Sequence, residues 1–206
     1  MEDFMKNLFI VFGFVFLATF NAVADEYALY TGNAYTYNDV WKNLDETQFQ
    51  IKYDDSEKVY YLFTADWMNK IWIYLSDNDL QTIRNVIAKY QDWVKIAKEK
   101  NAEINKEVPN STIRTKVVWK FGDDWYSSSR FILSFSVLSQ NSQRHELVIS
   151  SNKVTSSSNQ FVDVKLDTLY FEEKDVIDFL AGINENKISE LKIEHNKKKE
   201  SQDLFN

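Results

Sequence analysis

A long amphipathic helix is predicted directly after Ser76, between two regions of strand-like alternation. Apolar residues recur there every three or four positions, the spacing of one helix face; they are Leu80, Ile83, Ile87, Tyr90, Val94 and Ala97. Ser76 is a good N-cap, and Asp77 and Asp79 place negative charge in the first turn, where it favours the helix dipole. At about 25 residues and 1.5 Å per residue, such a helix is long enough to lie across a whole sheet.

The residues before this helix predict a β-hairpin and a third strand. Phe49, Ile51 and Tyr53 alternate with polar residues, residues 54–57 supply a turn, and alternation resumes over residues 59–63. Ile71 to Leu75 adds a wholly apolar strand. Further upstream, a short amphipathic helix after Thr36 is predicted from the i, i+3, i+4, i+7 spacing of four residues, Tyr37, Val40, Trp41 and Leu44.

After the long helix the apolar period changes from 3.6 to 2. Alternation over residues 113–121 and 131–138, with Gly122-Asp123-Asp124 between them, predicts two strands joined by a turn. Shorter strands follow over residues 145–149 and 161–166, which suggests an antiparallel meander. A final helix is predicted from about Glu172 to a C-terminal cap near Gly182.

This order of elements predicts an α+β fold. We expect a mostly antiparallel sheet of about six or seven strands, with one long and one or two shorter helices packed on one face. Residues 25–184 form a single domain, and residues 185–206 form a charged tail that is a frayed helix or disordered. The opposite sheet face also carries apolar residues. It is either partly covered by the N-terminal segment or a binding surface.

Residues 1–24 are predicted to be a signal peptide. The apolar run from Leu8 to Phe20 is shorter than a bilayer span, and Ala22 and Ala24 provide a small-x-small cleavage pattern before Asp25. Translation starting at Met5 would remove two acidic residues from a region that is normally basic. The alternative is an uncleaved membrane anchor. With cleavage, the protein is periplasmic or extracellular and keeps no stable membrane anchor.

The composition limits which partners and which catalytic or metal sites the chain can have. The net charge of −7 argues against nucleic acid as a partner. The chain has no cysteine and only two histidines, which excludes a Cys-His pair and leaves little for a metal site, so no cofactor and no metal are predicted. No G-x-S-x-G elbow is present, and we interpret His145 as a surface histidine.

Carboxylates are the remaining candidates for catalysis. Three pairs qualify, Asp54-Asp55, Asp77 with Asp79, and Asp123-Asp124. Each stands at a predicted turn or helix start, where aspartate is favoured for local hydrogen bonding. No residue is therefore assigned a catalytic role. A carboxylate-dependent hydrolase acting on glycan or peptidoglycan remains the alternative function, and it requires two carboxyl groups that converge in a cleft.

Aromatic residues make up 16% of the chain, including six tryptophans. Trp67 and Trp125 fall near predicted turns, where a ring is free to meet a ligand, and Tyr126 follows directly. These three residues are the predicted binding site; the competing interpretation is ordinary packing. The leading hypothesis is an exported, non-catalytic protein that binds a protein or glycan of the cell envelope or extracellular space. A structural subunit of an envelope assembly is a third possibility.

Overall fold

The structure, a computed structural model, describes residues 26–38, 40–65 and 69–203. The predicted signal peptide and the tip of the predicted tail lie outside these residues. The strands are β1 (Glu26–Asn38), β2 (Asn43–Asp54), β3 (Val59–Ala65), β4 (Asn69–Leu75), β5 (Asn105–Glu107), β6 (Ile113–Phe121), β7 (Asp124–Asn141), β8 (Arg144–Ser151), β9 (Val154–Thr155), β10 (Asp163–Val164) and β11 (Leu169–Phe171). The helices are α1 (Asp77–Lys100), α2 (Glu173–Gly182) and α3 (Lys187–Asp203).

The main sheet closes on itself, so the predicted open sheet with helices on one face is wrong. Eight antiparallel strands form a barrel in the order β7-β6-β4-β3-β2-β1-β11-β8, and β8 pairs back to β7. Closure depends on the 18-residue strand β7, whose first half pairs with β6 and whose second half pairs with β8. The three-residue strand β11 fills the remaining gap between β1 and β8. Strand β5 lies outside this closed ring and pairs only with residues 136–138 of β7.

Strand alternation gives the barrel its core. Every second residue points inward and is almost fully buried, including Phe49, Ile51, Leu62, Ile73, Val117, Trp119, Phe131 and Leu133. The predicted strand from residue 113 is confirmed as β6, and the predicted hairpin before the long helix is confirmed as β2 and β3. The chain has no cysteine, so no disulfide can crosslink this core, and apolar packing holds it together.

Helix α1 confirms the prediction made from Ser76. The Ser76 side chain and Asp79 form a capping box, and Asn101 ends the helix in a left-handed conformation. Its apolar stripe joins the same core as the inward-facing strand residues. Tyr60 of β3 donates a hydrogen bond to Asp77 at the start of α1 (2.9 Å), and Tyr90 reaches β8 from its middle. The helix thus connects opposite sides of the barrel.

The region around Trp41 is not a helix. Tyr37 pairs with Leu44 across a hairpin formed by β1 and β2, and residues 40–42 form part of its turn. The spacing is misleading here, because residues seven apart, such as Tyr37 and Leu44, are neighbours across this hairpin as well as on one face of a helix.

Helices α2 and α3 pack against β1, and α2 contributes side chains to the core. Phe179 of α2 packs against Phe49 and Phe171, with ring centroids 5.2 and 6.0 Å away. Arg84 donates to the Ile183 carbonyl (2.9 Å) and Lys98 pairs with Glu173, so α2 runs antiparallel to α1. Helix α3 is attached at residue Lys192, which bonds Asp55 of the β2–β3 turn at 2.5 Å.

Candidate binding site

The outer surface of β3 and β4 carries a row of aromatic rings. Phe63 stands opposite Trp72 and Tyr61 opposite Tyr74 in the β3–β4 register, while the alternate residues point into the core. The ring centroids of Phe63 and Trp72 are 5.0 Å apart, and those of Tyr61 and Tyr74 are 4.8 Å apart. Cross-strand aromatic pairs of this kind stabilise a sheet. Phe63, Trp72 and Tyr74 are partly exposed on this surface, whereas Tyr61 is only 8% exposed.

Trp125 extends this row from the next hairpin. It lies directly after the β6–β7 turn, where Gly122 has a φ of +61° that favours glycine. Its ring centroid is 4.9 Å from that of Trp72, and 56% of its surface is exposed. One indole thus faces solvent while its neighbour fixes its orientation.

A groove of about 270 Å³ runs along these rings. It is lined by Tyr61, Trp72, Tyr74, Val118, Trp125, Glu26 and Asp54. This volume is slightly below that of a typical small-molecule pocket. We will call it the aromatic groove.

Two carboxylates line the aromatic groove. Glu26 pairs with Lys52 (2.9 Å), and hydrogen bonds from the Ser56 hydroxyl and the Glu57 backbone lower the pKa of Asp54 below its usual value. The Lys116 ammonium lies 4.7 Å from the centre of the Tyr74 ring but does not line the groove. The groove therefore offers carboxylate acceptors beside an aromatic floor.

The structure describes two of the three predicted site residues, and their side chains lie on different sides of β7. Trp125 lies in the aromatic groove. Tyr126, its neighbour, points to the other side of β7, where its ring stacks on the buried Trp119 at 5.9 Å. Trp67 lies outside the described residues. Sequence reasoning missed Trp72 and Tyr74, because the strand from residue 71 is apolar on both faces and its outward residues resemble core residues.

The three predicted carboxylate pairs serve local structure. Asp54 accepts hydrogen bonds within its own turn, and Asp55 pairs with Lys58 and Lys192. Asp79 belongs to the helix cap, and Asp77 accepts from Tyr60. Asp123 is fully exposed in the β6–β7 turn. Asp54 lines the aromatic groove with Glu26, but the two members of no predicted pair line the same groove.

A different carboxylate cluster lies at β8, and its buried histidine corrects the sequence interpretation. Arg144 Nη2 lies 2.6 Å from Glu172 and 3.2 Å from Glu146, which is fully buried. His145 is only 4% exposed rather than on the surface, and its Nδ1 lies 2.6 Å from the Ser139 hydroxyl. A groove of about 550 Å³ between β8 and α2 includes Arg144 and Glu172.

Two features are absent from the described residues. Within residues 26–38, 40–65 and 69–203, no group of three metal-binding side chains is close enough to hold an ion. In the same part of the chain, no helix combines the length and hydropathy needed to cross a bilayer.

The fold and the aromatic groove define a small closed-barrel protein with an aromatic outer surface. Comparison of the chain with protein-family models, curated proteins and solved structures finds no match. Function is therefore inferred from these residues alone.

Proposed function

We propose that the protein is an exported, non-catalytic binding protein that holds a saccharide chain in the aromatic groove. The observation that carries this proposal is the Trp72–Trp125 pair, in which one indole supports a second that is 56% exposed. An exposed tryptophan held in place by another ring loses little conformational freedom when a ligand stacks on it.

The groove chemistry fits a sugar. The face of an indole carries partial negative charge, and it attracts the slightly positive C–H groups on the flat face of a pyranose ring. Sugar hydroxyls need hydrogen-bond acceptors around that stack, which the carboxylates of Glu26 and Asp54 supply. An open groove on the outside of a barrel also suits a segment of a chain better than a small molecule that must be enclosed.

Two sets of carboxylates bear on the choice between binding and hydrolysis. In the aromatic groove, hydrogen bonds lower the pKa of Asp54, the opposite of the raised pKa that a general acid requires. Glu146 and Glu172 accept from one nitrogen at 3.2 and 2.6 Å, so these two oxygens are no more than about 6 Å apart, close to the separation used by retaining glycosidases. The Arg144 guanidinium, however, occupies the space where a scissile bond would have to lie. The cluster is therefore structural in this proposal.

Isothermal titration calorimetry with chitohexaose, cellohexaose and soluble peptidoglycan glycan strands tests the binding site. We expect at least one probe to bind and Trp125→Ala to weaken it about tenfold, since loss of one aromatic stack costs about 1.4 kcal/mol. Trp41→Ala, which removes an exposed tryptophan elsewhere, is the matched control and should bind as the wild type does. No binding of any probe, or equal binding by Trp125→Ala, contradicts the proposal. Release of shorter sugars from a probe would support the hydrolase instead.

Export rests on the predicted signal peptide and has its own test. The intact mass of the protein recovered from the periplasm or medium should correspond to a chain that begins at Asp25. A mass that retains residues 5–24 would contradict cleavage while leaving the saccharide proposal standing.

A further inference from the structure

Strand β6 presents a row of cations on the outside of the barrel. Ile113, Val117 and Trp119 are buried in the core, so the alternate residues of the strand point outward. These outward residues are Arg114, Lys116, Val118 and Lys120. They carry positive charge and no negative charge, although the chain as a whole has a net charge of −7. We will call Arg114, Lys116 and Lys120 the β6 cation row.

The β6 cation row borders the aromatic groove. Val118, which lines the groove, lies between Lys116 and Lys120 along the strand. The Lys116 ammonium lies 4.7 Å from the centre of the Tyr74 ring. Lys120 stands opposite Trp125 in the β6–β7 register. A chain that stacks on Trp125 and passes over Val118 therefore has a lysine close by on either side.

The fold supplies few anionic partners for these cations. In the part of the chain that the structure describes, neither Arg114 nor Lys116 forms an ion pair, and Lys120 has only the fully exposed Asp123 at 3.9 Å. Lys120 also stands directly opposite Lys70 of β4. Like charges in opposed positions destabilise a sheet. An anionic ligand would relieve this repulsion and give the row the partners that it lacks.

We infer that the saccharide held in the aromatic groove is acidic, with carboxylate, sulfate or phosphate groups that pair with the β6 cation row. This inference rests on the proposed function and narrows its ligand to a chemical class. Arginine and lysine form short, charge-assisted hydrogen bonds to such oxygens. Lys116 and Lys120 are four residues apart, about 13 Å along a strand. A ligand that reaches both therefore carries acidic groups on more than one sugar.

The carboxylates of the groove do not oppose this ligand. Glu26 and Asp54 lie on β1 and β2, and β3 and β4 stand between β2 and β6. Three strand spacings amount to about 14 Å, whereas charges are largely screened beyond about 8 Å at physiological ionic strength. Acidic groups beside β6 thus feel little repulsion from Glu26 and Asp54, which remain available to sugar hydroxyls.

A single-stranded nucleic acid fits this surface less well. It also combines stacking on aromatic rings with pairing to cations. It carries a phosphate at every nucleotide, however, so some phosphates would lie beside Glu26 and Asp54. The net charge of −7 also repels a long polyanion. A saccharide with acidic groups on only some of its sugars avoids the first of these costs.

Isothermal titration calorimetry with matched pairs of saccharides tests the inference. One pair is chitohexaose and 6-O-sulfated chitohexaose, and the other is cellohexaose and its 6-carboxylate. We expect the acidic member of at least one pair to bind about tenfold more tightly than its neutral parent in about 50 mM salt. The advantage should shrink in about 500 mM salt, because salt screens the charges.

Three variants locate the charge recognition. Lys116→Gln and Lys120→Gln should each weaken binding of the acidic saccharide about threefold or more, and leave that of the neutral parent within about twofold. A purely structural role of either lysine would weaken both members of the pair alike. Lys165→Gln is the matched control, because it removes an exposed cation between β10 and β11 and should bind as the wild type does.

The inference is overturned if the acidic member binds no more tightly than its neutral parent in both pairs. Neutral saccharides that still bind through Trp125 would then leave the proposed function standing, whereas an absence of all saccharide binding would remove both. An acidic preference that survives in both Lys116→Gln and Lys120→Gln also overturns it, since the charge is then recognised elsewhere. Tighter binding of decathymidylate than of every acidic saccharide would assign the surface to nucleic acid. Circular dichroism of each variant checks that it remains folded.

Discussion

The Tyr90 hydroxyl donates a hydrogen bond to the backbone carbonyl oxygen of His145 across 2.9 Å, inside the core and 55 residues away along the chain. It joins α1 to β8, the strand that closes the barrel. Burial, followed by nearby glutamates, raises the pKa of Tyr90 above its usual value, so the hydroxyl stays protonated and remains a donor.

Tyr90→Phe should therefore lower the free energy of unfolding by about 1–3 kcal/mol, the penalty for a buried carbonyl that loses its donor. Urea denaturation followed by fluorescence measures the change. Tyr37→Phe is the control, because Tyr37 is half exposed and its hydroxyl can bond water. Equal stabilities of the two variants would show that the bond across the barrel contributes nothing.

Arg144→Met tests the cluster at β8. It removes the guanidinium from beside the buried Glu146 while keeping most of the side-chain volume. We expect a loss of about 3 kcal/mol, the lower end of the range for a broken buried pair, since the Arg144 side chain is 40% exposed. Adding Glu146→Gln should recover part of the loss, because the buried charge is then gone. A double variant less stable than Arg144→Met would contradict this account.

Gly182→Ala sets helix propensity against packing. Alanine is favoured over glycine in a helix by about 1 kcal/mol, which alone would stabilise α2. An added Cβ at Gly182, however, would lie 2.8 Å from the Leu29 carbonyl oxygen and 2.7 Å from the Tyr30 Cβ. We expect packing to dominate, with a net loss of about 1–2 kcal/mol in thermal or urea unfolding.

The adjacent residue supplies the control. Ala181 is exposed on the same helix, so Ala181→Gly should lose about 1 kcal/mol through propensity alone. If Gly182→Ala is instead more stable than the wild type, α2 moves away from β1 at little cost.

Local patterns predicted local structure well. The stripe after Ser76 and the alternation around residues 49–63 involve neighbours in sequence, and both became α1 and the β2–β3 hairpin. Closure of the barrel depends on pairings between distant strands and on β11, whose three residues are too short to show a period. The prediction of a helix around Trp41 was wrong because four spaced residues do not distinguish a helical turn from the turn of a hairpin.

The candidate site was only partly accessible from sequence. Trp125 could be found because it follows a turn signal. Trp72 could not, because which face of an apolar strand points outward depends on barrel closure. His145 was misjudged for a related reason: its charged neighbours Arg144 and Glu146 suggest a surface, but they pair with each other at the barrel wall.

The attachment of α3 should depend on pH. Hydrogen bonds from Lys192 and Lys58 lower the pKa of Asp55 to about 2 from its ordinary 3.8. Because the folded-state pKa is the lower one, the contribution of this contact to stability is fully present above about pH 4 and is lost as pH falls through about 2. The protection factors of the α3 amides, which correct for the intrinsic pH dependence of hydrogen exchange, should then fall across this range before the barrel itself unfolds.

Asp55→Asn removes the titrating group while keeping the shape. In this variant the protection factors of the α3 amides should already be lower at neutral pH, and they should change less between pH 4 and pH 2. Lys58→Ala is the comparison, because it removes one partner of Asp55 but leaves the Lys192 contact to α3 in place. If α3 in Asp55→Asn keeps the exchange rates of the wild type at every pH, the helix is held by its apolar contacts, Ile188 and Leu191 against the core, and the ion pair is incidental.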